Sequence, residues 1–183
     1  MAMLITMNKG KYTNKDVVEN VIRYITRTRA MEDRADELIA WGGWGIGIYQ
    51  TPELVIEQFC RLQKNHRIEK RGSRIFHEVL GITEKELGRL GHDYSRVYQV
   101  AVNCAQYYFA MGHQVVFAIH NAKDGCLERN KGVHIHFVVN TINFATGNKW
   151  HSNLRENWAR NRTFDDIIRR FMDPDPLESE LPF

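Results

Sequence analysis

The clearest pattern in the chain is an alternation of apolar and polar side chains from Gly132 to Asn143, GVHIHFVVNTIN. In a β-strand, Val133, Ile135, Phe137 and Val139 point to one face, and His134, His136 and Asn140 point to the other. A second alternating run, His113 to His120, places Val115, Phe117 and Ile119 on one side and His120 on the other. The residues between the runs, Asn121 to Lys131, are rich in Asn, Asp, Gly and Lys, which favour turns. The two runs therefore predict a hairpin that brings His120 beside His134 and His136. A third run, Arg74 to Leu80, alternates with Ile75, His77 and Val79 on one face, and Ala2 to Met7 reads as a short strand.

Other segments repeat at helical spacing. Asn14 can cap a helix running to about Thr28, with Val17, Val18, Val21, Ile22 and Ile25 as its buried stripe and Tyr24 on the flank of that stripe. Thr51-Pro52 is a helix start, followed by Leu54, Val55, Phe59 and Leu62. Glu84 to Arg89, Tyr94 to Met111, Asn153 to Arg160 and Phe164 to Met172 complete the expected helices. Glu32 to Trp41 is ambiguous and leans towards a short helix. Trp41 to Tyr49, WGGWGIGIY, reads as a packed glycine-rich loop. These elements predict an α/β (α+β) fold, with a mainly antiparallel central sheet and flanking helices. One domain is expected over residues 1–172, followed by an acidic, disordered tail over 173–183.

Composition changes this picture little. The 183 residues are 43% hydrophobic and 26% charged, ordinary values for a globular domain. Met1 to Met7 is apolar but lacks the layout of a signal peptide, and no stretch resembles a membrane span, so a cytoplasmic protein without membrane insertion is expected. Cys60, Cys104 and Cys126 are odd in number and not paired at metal-binding spacing, which suits reduced thiols.

Charge is more informative. The net charge is +3, yet the tail from Asp173 holds four acids and no base. A basic run contains Arg61, Lys64, Arg67, Lys70, Arg71 and Arg74. A second basic region, including Lys149 and Arg155, is interleaved with Trp150, Trp158 and Phe164, a composition suited to single-stranded nucleic acid. A basic body points to a polyanionic partner.

The three imidazoles expected on one sheet face, His120, His134 and His136, are the donor set of an open site for a divalent metal. Magnesium or manganese is expected to work there, with zinc able to bind tightest. Asn140, Asn143 and His77 are candidates for outer contacts to an imidazole or a phosphate oxygen.

Three blocks carry a family resemblance: VIRYITR (Val21 to Arg27), RIFHEVLGI (Arg74 to Ile82), and FAIHNAKDG with GVHIHFVVNTIN. Their order and spacing resemble the relaxases, mobilisation nucleases of plasmids and conjugative elements within the His-hydrophobic-His single-strand endonuclease group. The likeness spans roughly Met7 to Ile168. It implies transesterification at a transfer origin, with a 5′-phosphotyrosyl DNA intermediate. Tyr24 is the expected nucleophile and Tyr12, in a loop beside Lys9 and Lys11, is the second candidate. Single-stranded DNA is the implied substrate, with accessory mobilisation proteins or a coupling protein as further partners.

Two positions depart from the family pattern: Gly81 stands where relatives commonly have serine, and Asn121 where they often have an acid. Two other readings compete. A rolling-circle replication initiator uses the same histidine block, but its tyrosine follows the histidines. Here all seven tyrosines precede His120. A non-catalytic single-stranded DNA-binding accessory protein would not require Tyr24.

Overall fold

The computed structural model describes residues 3–7, 12–28, 36–47, 50–66, 72–122 and 132–173. The chain runs β1 (Met3–Thr6), α1 (Val17–Ile25), β2 (Asp36–Trp44), α2 (Pro52–Asn65), β3 (Ile75–Thr83), α3 (Glu84–Arg89), α4 (Tyr94–Ala110), β4 (His113–Ala122), β5 (Gly132–Asn143) and α5 (Leu154–Met172). The strands form one antiparallel sheet in the order β1-β3-β5-β4-β2. The expected α+β architecture is the observed one. Arg67, Lys70, Arg71, Cys126 and residues 174–183 lie outside the described residues.

Each sheet face carries its own core. Val17, Val18, Ile22 and Ile25 of α1 and Val55 and Phe59 of α2 pack on Ile75, Val116, Ala118 and Val138. On the opposite face, α3, α4 and α5 cover Leu80, Val115, Phe117, Ile119, Val133, Ile135, Phe137 and Val139. β5 is thus a central strand, hydrogen-bonded to β3 and β4 and covered on both faces. The expected cap at Thr51 is present, its hydroxyl accepting from the Leu54 amide, and Thr83 and Glu86 form a reciprocal capping box at α3. Asn14 does not cap α1: the helix starts at Val17 after Asp16, which makes no side-chain cap bond.

Two elements differ from their expectation. Residues 36–44 are strand, not a short helix followed by a loop. Pairing with β4 overrides the helix-favouring residues at their start. Gly43 then serves close approach within the sheet, since a Cβ there would lie 2.3 Å from the Val115 carbonyl oxygen. Residues 154–172 form one continuous helix, not two. The polar stretch around Arg160 does not break it, because Arg160 points inward and is neutralised there. Its Nη2 lies 2.5 Å from Glu78 Oε1, and both side chains are 1% exposed. The Tyr108 hydroxyl donates to Glu78 Oε2, the Thr6 hydroxyl donates to Glu78 Oε1, and the Arg160 guanidinium lies over the Trp150 ring.

Candidate active site

The register of the central hairpin places the histidines. His134 stands opposite His120 on β4 and opposite Gly81 on β3, so these positions share a face. His136 follows two residues along the same face. Its ring centroid is 4.6 Å from that of His120 and 5.3 Å from that of His77. His77 Nε2 and His136 Nδ1 are 3.0 Å apart and share a hydrogen bond. His120, His136 and His77 are buried, and His134 is half-buried. Burial first, then the neighbouring His120 ring, holds His77 down to a pKa of about 4. Burial pushes His136 well below the usual imidazole range, with the surrounding histidines and Arg27 adding to the effect. Both therefore stay neutral, the form in which imidazole binds a metal.

The α1 helix closes over this cluster. The Tyr24 ring stands edge-on to His136, with centroids 6.0 Å apart. Tyr12 approaches from the loop before α1, its hydroxyl 3.3 Å from His77 Nδ1. Burial, and secondarily Tyr24, raises the pKa of Tyr12 above the ordinary phenol value. Both candidate tyrosines therefore border the histidines. Arg27, just past the end of α1, was not singled out by the sequence. Its Nη2 donates to His120 Nδ1 at 3.0 Å, its Nη1 donates to the Tyr24 carbonyl at 3.1 Å, and its guanidinium lies 5.0 Å from the centre of the Tyr24 ring. The one signal in the sequence was a base three residues after the tyrosine.

Other expected site residues are placed elsewhere. Asn140 is fully buried and its amide is saturated: it donates to Phe59 O and Gln114 Oε1, and accepts from Gln63 Nε2 and Ile142 N. It ties α2 to the sheet and has no hydrogen-bonding capacity left for an imidazole or a phosphate. Asn143 builds the turn after β5, accepting from the amides of Ala145 and Thr146 while donating to Met111 O. Arg74 is buried, donating to Gln63 Oε1 and Lys15 O, so it braces the α1 approach and is not a surface contact. Arg61 and Lys64 are exposed on α2, the helix that covers the histidine face. Arg155 is exposed on α5, on the far side of the sheet. Lys149 is half-buried, and burial lowers its pKa. Of the aromatics near these bases, Trp150 and Phe164 are core residues, whereas Trp158 is 77% exposed.

As the rings lie, no three His, Cys, Asp or Glu side chains among the described residues are gathered closely enough to hold a metal. The donor chemistry nevertheless fits one. His120 Nε2 donates to the Ile25 carbonyl at 2.7 Å, an outer contact of the kind that orients ligating histidines and leaves the Nδ1 lone pair for a cation. That lone pair already faces a cation, the Arg27 guanidinium. His136 likewise has an imidazole partner at Nδ1, which can leave Nε2 as its ligating atom.

An antiparallel sheet with imidazoles on its central hairpin, closed by a tyrosine-bearing helix, matches the class of single-strand nuclease that the three sequence blocks resemble. The family model "Relaxase: MobA/VirD2-like, nuclease domain" matches residues 14–171, and the chain belongs to that family. It is a DNA-nicking nuclease domain of the relaxase type. No curated protein and no solved structure matches the chain. No helix among the described residues is long and apolar enough to cross a membrane.

Proposed function

We propose that this chain nicks single-stranded DNA at the transfer origin of its own mobile element, using Tyr24 as nucleophile and a divalent cation held by His120, His134 and His136. The observation that carries this reading is the meeting of Tyr24, His136 and His120 between α1 and the central hairpin. The Tyr24 oxygen attacks phosphorus and the bond to the 3′ oxygen breaks. The 5′ end stays on Tyr24 as a phosphotyrosine, and the proton lost by the phenol is matched by one gained at the 3′ hydroxyl. The cation, magnesium or manganese in work and zinc at highest affinity, supplies positive charge that polarises the scissile phosphate. Placing Tyr24 on a regular helix fixes its line of approach. Arg61 and Lys64 would hold the strand on the α2 side. Accessory mobilisation proteins or a coupling protein would act with the domain in the cytoplasm, where the DNA is.

Tyr12 is the second reading, favoured by the imidazole 3.3 Å from its hydroxyl, which fixes the direction of the phenol oxygen. Against it, burial disfavours the Tyr12 phenolate. Incubation with a single-stranded oligonucleotide carrying the element's transfer origin separates the two on a denaturing gel. Wild type and Tyr12→Phe should form a covalent adduct, and Tyr24→Phe should form none while still binding the oligonucleotide. Normal adduct yield in Tyr24→Phe, with loss in Tyr12→Phe, would move the role to Tyr12.

A further inference from the structure

The end of α1 is built against local preference. Thr28 N donates to Arg23 O and Arg27 N to Tyr24 O, the paired bonds of a Schellman motif. The residue that must then adopt a left-handed backbone is Arg27, at φ 58°. Glycine is the usual occupant, because a side chain is strained there. A strained backbone kept at a candidate site suggests a task for the side chain. What the conformation achieves is visible. It sets the guanidinium on His120 Nδ1 at 3.0 Å, while His120 Nε2 is committed to the Ile25 carbonyl. The His120 nitrogen able to bind a metal is therefore occupied by a cation of the chain itself.

We propose that Arg27 is a resident cation of the histidine site, competing with the metal for His120 and leaving when the metal binds. The inference rests on the metal reading given above. A guanidinium cannot lose its charge at working pH, so it opposes a divalent cation both by charge and by hydrogen bond. Once displaced, it remains tethered beside Tyr24, where a phosphate can take up its donors. Arg27 is thus a positioning residue that discourages metal loading until an anion draws it away.

The test is a calorimetric titration of Mn²⁺ into the metal-free full chain. Arg27→Gly should bind Mn²⁺ at least tenfold more tightly than wild type, whereas Arg27→Lys, which keeps the charge, should stay close to wild type. Arg27→Gly should also melt no lower than wild type, because glycine suits the positive φ. Arg27→Asn, another residue tolerant of this backbone, should repeat the gain in affinity. Equal Mn²⁺ affinity in wild type and Arg27→Gly, with His136→Ala binding weakly, would overturn the inference and leave the metal reading standing. Unchanged binding in His136→Ala would remove the metal reading, and the inference with it.

Discussion

His77 and His136 are kept unprotonated by burial, as is His113, whose ring lies tilted against Trp150 on the other face of the sheet. In the unfolded chain an imidazole titrates near pH 6.5. Below that pH the unfolded chain takes up protons that the fold refuses. The stability these groups contribute is therefore complete above about pH 6.5 and declines as the pH falls, down to about 4 for His77. His77 alone should remove about 2 kcal/mol between pH 7 and pH 5. Urea midpoints of the wild type and of His77→Gln at the two pH values measure this, and the same pH dependence in both would show that His77 is not held neutral. At Gly43, substitution by alanine should lower stability by about 1–3 kcal/mol, since the new methyl meets the backbone oxygen of Val115, which cannot swing aside, as well as the end of the Ile46 side chain.

At the scale of elements, the Glu78–Arg160 pair joins β3 to α5, with Thr6 from β1 and Tyr108 from α4 donating further hydrogen bonds to the Glu78 carboxylate. Glu78→Ala leaves a buried guanidinium without its counter-charge and should destabilise the fold by about 3–5 kcal/mol. A double change to Glu78→Met and Arg160→Met should be milder than the single one, as read from chemical denaturation. The same pair explains why α5 was hard to read: a polar stretch looks like a helix break until its partner on another strand is known. β4 and β5 were legible because one face of each is apolar and the other carries the histidines, so the period of two stands out. β2 was not, because its partner lies more than seventy residues along the chain and its glycines resemble those of a loop. In the site, strand periodicity was enough to put His120, His134 and His136 on one face, whereas His77 joins them only through the pairing of β3 with β5. Arg27 escaped notice because nothing in VIRYITR shows that the helix ends in a left-handed residue. Asn140 shared the histidine face as expected, but the α2 groups that saturate it could not be seen without the packing.

The whole molecule is divided by its sheet. Tyr24, the histidines, Arg61 and Lys64 belong to the α1–α2 side, and Arg155 and Trp158 to the α5 side. A strand held for nicking should therefore feel the first set far more than the second. Arg61→Ala with Lys64→Ala should weaken binding of a single-stranded oligonucleotide and flatten the dependence of log affinity on log salt by about 0.7 per lost phosphate contact. Arg155→Ala should change neither quantity. Fluorescence anisotropy across a salt series measures both. A larger effect from Arg155→Ala would place the strand on the other side.

The strand order also separates the two halves of the site by how they open. His134 and His136 ride on β5, whose amides are bonded between β3 and β4 and shielded by helices on both sides. Tyr24 rides on a nine-residue helix packed over the same central strands but hydrogen-bonded to none of them. Amide deuterium uptake in the native protein should thus be slowest along β5, limited by global unfolding, and faster along α1. Faster uptake along α1 than along β5 would show that the tyrosine helix opens while the imidazoles keep their places. Opening and closing would be a local event, repeated many times within the lifetime of one folded molecule.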